Sequence, residues 1–430
     1  MNMRGLLRHV NSFMVYTPRA GKSTSFQYQE RWVYHFDKTG VRVYHAHEYV
    51  VTEIHEWALV DSNDEGTKPH SAFKSRNNFV VWATRPARER YSCWQKELDV
   101  GFYTLDNWTW SETLNVAVHA WGLDVNDPRI KLINTAFVKY GPTVQICKHA
   151  ASGTLTKVVH GLKNEIQSIT EYTEIRSNTN GVPKESHKWC LVFPDKNRYP
   201  QTRIVSDYVE DLLVTRLMNL DATESHAIYN PLDTLLALSN LKVRIFEEVM
   251  HSMLPGSRHT IFPIPLAGRI ENYVDLTGVF YQQFQDLESL SRDFRQGVYW
   301  VPEVRSSLGN VHSVAIVKDT VYIFRITGDS TQTVQHTSLK DIQHALPQHL
   351  QSVQRWKFVW VVPNYMLKAF SDPKTIEEAG GDAWHRSLRQ FVMPVVVDLD
   401  LFRRAHAARL QSTFVERLRL DDAGVDEDVN

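Results

Sequence analysis

Cysteine, net charge and long apolar runs are all scarce in this chain, and each shortage removes a class of protein. Three cysteines occur in 430 residues, Cys93, Cys147 and Cys190, each more than forty positions from the next. That spacing fits neither a disulfide scaffold nor a zinc knuckle, and it points to a reducing compartment. The formal net charge is −1, so no global field draws in nucleic acid or an anionic membrane, and any such binding needs a local patch. The longest apolar runs, such as "FVWVV" at 358–362, have the length of a strand and cannot span a bilayer. Near the N-terminus Arg8 and His9 interrupt what would otherwise pass for a leader, so no export address is expected. No internal repeat is visible.

What is present is ordinary for a globular protein: 43% hydrophobic and 23% charged residues, with length enough for two or three domains. Short runs rich in β-branched and aromatic residues at 12–17, 32–36, 57–61 and 79–84 predict a buried, largely parallel sheet. Helices are expected over 88–100 and 109–121, the second capped near Thr109–Ser111, and then from about 128 to 176 with a break at Gly141-Pro142. Turn formers at 174–186 mark a linker. A strand around "KWCLVFP" and a helical stretch from Ser206 to about Met253 follow. Beyond 258 the pattern is strands, "HTIFPIP", "GVYWVPEV", "VHSVAIV", "TVYIFRIT" and "WKFVWVVP", with a helix at 338–350. An amphipathic helix over roughly 398–420 carries Arg403, Arg404, Arg409, Arg417 and Arg419 beside Glu416, and an acidic tail ends the chain.

Gly21, Lys22 and Ser23 stand in the order of a phosphate-binding loop, GxxxxGK[ST], but Tyr16 occupies the position of the first glycine. A Cβ and a ring there oppose the tight turn the backbone makes beside a phosphate. Only seven residues, "SFQYQER", separate Thr24 from the next strand at Trp32. A crossover needs about 10–12 including its helix. The helix whose N-terminus would hold the anion is therefore missing or cut to a turn. His45, His47 and His55 invite a metal reading, since His45 and His47 would share a strand face. They lack the HExxH spacing, and a solvated strand face is the competing account.

The succession "TPRAGKS", "WALVDS", "NNFVVWATRPARERYSCWQK", "NWTWSE", "KYGPTVQICKH", "RIVSDYV" and "VHSVAI…VYIFRIT…WKFVWVVP" resembles the Crinkler and retrotransposon-hot-spot superfamily of fungi, oomycetes and trypanosomes. The likeness runs along nearly the whole chain. It implies an α/β protein with a degenerate P-loop NTPase-like parallel sheet and helical lid, followed by a restriction-endonuclease-like α/β domain of the PD-(D/E)XK type. The matching divisions are 1–125 for the truncated P-loop part, 126–235 for the lid or linker, 236–397 for the endonuclease-like domain and 398–430 for the helix and tail. Such proteins act on nucleic acid, often in a nucleus, and some are secreted effectors. An intracellular place is expected here, with nucleic acid or related family proteins as partners and no membrane.

By the same resemblance Lys22 and Ser23 fall on the phosphates and Mg²⁺, Asp61 is the second Mg²⁺ carboxylate, and Thr84 is the sensor of the γ-phosphate. Gln145 stands where the family has an arginine after its Gly-Pro pair. In the second domain the resemblance makes Glu247 the acid of the core helix. His312 replaces the metal-binding Asp of "VHSVAI", Arg325 replaces the Gln of "VYIFRIT", and Thr327 is kept. A hard cation prefers oxygen, and a fixed guanidinium repels it. Arg325 is then expected to fill the old metal position and pair with Glu247 or another nearby acid. The expectation is a protein whose ATPase and nuclease sites are eroded, needing no cofactor, with a binding role left. Its rival is a live, ATP-driven nuclease using ATP and Mg²⁺, with Asp329 and Glu303 as relocated ligands.

Overall fold

The computed structural model describes residues 23–28, 32–50, 57–61, 69–74, 79–83, 104, 106–179, 189–197, 200–234, 238–266, 272–303, 311–377, 384 and 387–423. It is a mixed α/β protein. The chain divides into two units, Met1–Leu213 with Leu235–Leu238, and Val214–Thr234 with Ser239–Asn430.

The first unit holds a sheet of β1 (Thr24–Tyr28), β2 (Trp32–Asp37), β3 (Gly40–His45), β4 (Trp57–Asp61) and β5 (Phe79–Ala83), in the order β3-β2-β1-β4-β5. The parallel sheet expected from the apolar runs is corrected to a mixed one. β1 with β4 and β4 with β5 are parallel, whereas β1 with β2 and β2 with β3 are antiparallel. Connection length is the reason. Three residues between β1 and β2 cannot make a crossover, and the Lys38-Thr39 turn closes a tight hairpin. Asp37 stabilises that turn by accepting from the Thr39 backbone N–H. Val33, Tyr49, Ala58, Val60 and Phe73 form the core beneath. The strand expected at 12–17 and the helix expected at 88–100 lie outside the described residues.

Helices follow as the periodicity requires: α1 (Trp110–Trp121), α2 (Pro128–Tyr140), α3 (Val144–Ala151), α4 (Leu155–Ser168) and α5 (Tyr172–Thr179). A capping box between Thr109 and Glu112 starts α1, and Gly122 at φ 69° ends it. Asp127 caps α2 with Pro128 in the first turn. Gly141 separates α2 from α3 at φ 99°, and a Cβ there would collide with Val205. The linker begins later than the turn formers indicate, since α5 continues to Thr179. A hairpin of β6 (Cys190–Pro194) and β7 (Pro200–Ile204) comes next, and α6 (Asp207–Met218) carries the chain into the second unit.

That unit contains α7 (Ala222–Tyr229), α8 (Ser239–Met253), β8 (Arg258–Pro263), β9 (Asn272–Asp275), β10 (Phe280–Phe284), α9 (Leu287–Arg292) and β11 (Val298–Pro302). After these come β12 (Ser313–Val317), β13 (Thr320–Ile326), β14 (Val334–Gln335), α10 (His336–Ala345), β15 (Trp356–Pro363), β16 (Ile376–Glu377), β17 (Arg389–Val395) and α11 (Leu399–Ala423). The large sheet runs β10-β11-β12-β13-β15-β17-β8-β9. β11, β12 and β13 form an antiparallel meander, and β15 returns parallel to β13 after α10. β15 is a nearly continuous apolar run because β13 and β17 flank it, both parallel. Trp300, Ile323, Trp356, Phe358 and Trp360 fill the core, which α10 covers with Leu339 and Ile342. α11 packs Leu401, Phe402 and Ala405 inward, with the Phe402 ring 5.3 Å from those of His226 and Tyr229.

Candidate functional site

Two groups of chemically capable side chains stand out, one in each unit. In the first unit, Ser25 Oγ lies 3.0 Å from His35 Nδ1, and His35 Nε2 lies 3.8 Å from Asp37 Oδ2. Serine, histidine and aspartate in that order suggest a nucleophile with its base. Burial excludes the role. Ser25 is 0% exposed, and its hydroxyl is already within 2.6 Å of the Tyr49 hydroxyl. Asp37 is held well below the usual carboxylate range, first by the Thr39 hydroxyl, then by the Thr39 backbone N–H, and less by Arg42. The group is a buried polar chain that ties β1, β2 and the segment after β3 together.

The phosphate-loop residues sit at the rim of the same sheet. Gly21, Lys22 and Thr84 lie outside the described residues. Ser23 is buried and leads at once into β1, so a strand stands where a phosphate-binding loop would continue as a helix. Thr24 pairs with Trp57 and Tyr28 with Asp61 along the parallel strands β1 and β4. Ser23 therefore adjoins the start of β4 while Asp61 closes its end, about 16 Å of strand rise away. The structure does not bring Ser23 and Asp61 together. Nor do His45 and His47 share a strand face, because His47 lies in a 3₁₀ turn over Ala46–Glu48 beside Glu48. His55 lies outside the described residues.

The second unit gathers its residues closely. Glu247 and His251 are one helical turn apart on α8 and both are 5% exposed. Leu241, Ile245, Val249 and Met250 bury the same helix against the unit. α8 runs close to the turn that ends β13, where a Cβ on Gly328 would come within 3.1 Å of Val243. His312 precedes β12, and its backbone N–H donates to Phe324 O at 3.0 Å, which ties the lead into β12 to β13. Ser313 pairs with Phe324 across β12 and β13, and the His312 N–H falls on that same Phe324, so His312 lies beside the end of β13 that carries Arg325. The two expected positions are neighbours.

Three ligand-type atoms converge there. His312 Nδ1 is 2.8 Å from Glu247 Oε1, and His251 Nε2 is 3.7 Å from the same oxygen. Tyr299, fully buried on β11, accepts from Ser313 Oγ at 2.5 Å and stands 2.9 Å from His251 Nδ1. Burial lowers the His312 pKa, opposed by Glu247 and reinforced by Arg325. Burial also pushes the Tyr299 phenol well above its ordinary value. The neutral imidazole is the form that offers a lone pair.

Arg325 lies within the field of Glu247 and Asp329, which oppose the lowering of its pKa by burial, while its hydrogen bond goes to a neutral side chain. Its Nη2 donates to Gln332 Oε1 at 2.9 Å, and Gln332 Nε2 donates in turn to Asp329 Oδ2 at 2.9 Å. Glu247 faces the two histidines. Arg325 stands one residue from the end of β13, and Gln332 lies in the turn that follows. Asp329 is occupied there by the Thr331 and Gln332 side chains, and Thr327 caps the turn by accepting from the Asp329 N–H at 2.9 Å. Glu303 is exposed just beyond β11.

His251 and Tyr299 were not singled out from the sequence. The one available signal for His251 was its spacing of four from Glu247, which puts both on one helical face. Comparison of the chain with known protein families, with curated proteins and with solved structures returns no match. Any functional reading therefore stands on these side chains and the strands that hold them.

Proposed function

We propose that the second unit is a restriction-endonuclease-like domain that has lost Mg²⁺-dependent cleavage and serves as a nucleic-acid-binding scaffold, in a Crinkler-like protein whose first unit hydrolyses no ATP. One observation carries this reading. A helix bearing a buried acid (α8, Glu247) precedes a three-stranded antiparallel meander (β11, β12, β13), then a helix (α10), then a strand parallel to the third (β15). His312 and Arg325 fall at adjacent ends of the second and third strands of that meander. Those are the positions where such a nuclease keeps its oxygen ligands. Mg²⁺ takes near-octahedral oxygen coordination and retains several waters. Glu247 alone, with imidazoles at its side and the Arg325 charge behind, is a poor seat for it. A cationic residue at a former catalytic position keeps an attraction for phosphate after cleavage is gone.

The test uses the full chain with labelled duplex and single-stranded DNA and RNA, and with supercoiled plasmid. Expected is binding that weakens steeply with salt, is reduced by Arg325→Met, and leaves plasmid intact in Mg²⁺ or Mn²⁺. Salt-independent binding, or none, would remove the nucleic-acid role. Nicking abolished by Glu247→Gln would favour the live nuclease with relocated ligands.

A further inference from the structure

We infer that Glu247, His251 and His312 form a three-ligand site for a borderline divalent transition metal of the zinc class, distinct in chemistry from a magnesium site. The inference goes beyond the scaffold role and stands on these three side chains alone.

Their ligand atoms lie within 4.8 Å of one another, and no other such group of His, Cys, Asp or Glu occurs among the described residues. The decisive detail is how the nearest pair meets. His312 Nδ1 approaches Glu247 Oε1 to 2.8 Å, yet this buried nitrogen has no hydrogen-bond partner in line with it. In a hydrogen bond the ring N–H points at the oxygen. Nitrogen and oxygen are close without that alignment, and either a proton between them or a third body that both face would relieve the contact. A buried polar atom without a partner costs about 1–3 kcal/mol, so the arrangement needs a compensating ion or a shared proton.

The surroundings match a metal's outer shell. Ligating imidazoles donate their second N–H to a fixed oxygen, which sets tautomer and orientation. His251 has this partner in Tyr299: with Nε2 turned toward Glu247, Nδ1 meets the phenol oxygen at 2.9 Å. Ser313 fixes that oxygen in turn. Three elements thus present the donors, with α8 supplying Glu247 and His251, the lead into β12 supplying His312, and β11 supplying the orienting phenol. Two imidazoles and one carboxylate suit zinc, iron(II), cobalt or nickel, and they disfavour Mg²⁺ and Ca²⁺, which prefer oxygen throughout. Three protein ligands leave a coordination position for water or substrate.

The experiment strips the full chain with chelator and titrates it with Zn²⁺, Co²⁺, Fe²⁺, Mg²⁺ and Ca²⁺. Bound metal is read by competition with a chromophoric chelator, by thermal shift, and by the visible spectrum of the Co²⁺ form. One equivalent of Zn²⁺ or Co²⁺ should bind and raise the melting temperature, with no comparable response to Mg²⁺ or Ca²⁺. His312→Ala and Glu247→Gln should each weaken Zn²⁺ by more than the roughly 10–100-fold expected of the outer-shell variant Tyr299→Phe. If a ligand variant fails to fold, the Tyr299→Phe affinity and the wild-type Co²⁺ spectrum still decide. Zn²⁺ affinity unchanged in His312→Ala, or a Co²⁺ spectrum of all-water coordination in the wild type, would overturn the site. So would a greater response to Mg²⁺ than to Zn²⁺. DNA binding does not enter any of these readouts, so failure here and failure of the scaffold role are separable.

Discussion

At the scale of single residues, burial decides which polar groups can act and which only hold. Ser25 carries the partners of a nucleophile, but at 0% exposure no substrate reaches its oxygen. Its hydroxyl is spent on His35 and Tyr49. A fluorophosphonate probe is expected to leave Ser25 of the folded chain unlabelled, by mass spectrometry of the digested protein. Tyr49→Phe should cost about 1 kcal/mol in denaturant unfolding, the ordinary worth of a buried hydrogen bond. Rapid labelling of Ser25 in native conditions would overturn the structural role. Arg325 makes the opposite point. It is charged and half-buried, its hydrogen bond goes to Gln332, and it feels the Glu247 carboxylate that His312 approaches. The turn after β13 offers a closer acceptor.

At the scale of elements, helix ends and strand connections account for most of what is regular here. Asp127, Asp221 and Asp286 each cap a helix by accepting from backbone N–H groups. All three are held below their ordinary range. For Asp127 the Arg129 side chain is the largest cause, and its pKa is lowered to about 2. The sign follows from linkage: a carboxylate with a depressed folded pKa adds stability above the unfolded value near 4, and loses it as pH falls toward the folded value. Helical circular dichroism should therefore decline between about pH 4 and pH 2. Asp127→Asn, which still caps but does not titrate, should flatten part of that decline. An unchanged acid profile in Asp127→Asn would mean that this cap contributes nothing to the transition. The C-terminal helix α11 belongs to the same scale. Its arginines suggest a phosphate-binding surface, but Leu401, Phe402 and Ala405 bury one face against α7 and α8, and Arg409 sits near Glu248 with its pKa lowered by burial. Arg403 and Arg404 remain exposed, Arg404 against Asp400 at 3.0 Å.

At the scale of the whole molecule, the two units differ in which side chains they bring together. The first has a mixed sheet in which Ser23 and Asp61 lie at opposite ends of neighbouring strands, with a strand directly after Ser23. Mg²⁺ cannot bridge ligands about 16 Å apart. Calorimetry with Mg²⁺-ATP is expected to give no low-micromolar binding. Binding of that strength, abolished by Lys22→Ala, would favour the rival reading of a live, ATP-driven protein. The second unit has a buried centre where α8 meets β11 and the lead into β12, and there Glu247, His251 and His312 bring their ligand-type atoms within 4.8 Å of one another. Among the described residues no helix is long and apolar enough to cross a membrane.

Much of this was legible before any coordinates. Apolar runs with turn formers between them marked β2, β4, β5, β8, β11, β12, β13 and β15, and Gly141-Pro142 marked the break between α2 and α3. The seven residues before Trp32 were too few for a crossover helix, and β1 occupies their place. Glu247, His312 and Arg325 could be named only through the resemblance, which implied a helix acid and one polar position on each of two strands. β17 escaped notice because Pro394 lies within it, and a proline speaks against an interior strand. Its pairs with β8 stop at Phe391 and Val392, short of that proline. His251, Tyr299 and Ser313 could not be joined to Glu247 and His312 from the sequence. Periodicity records which side of an element turns inward, through the free energy of removing apolar surface from water. It does not record which distant elements share that interior. The pairing of β11, β12 and β13 beneath α8 settles that, and it alone brings an imidazole from position 312 within 2.8 Å of a carboxylate from position 247.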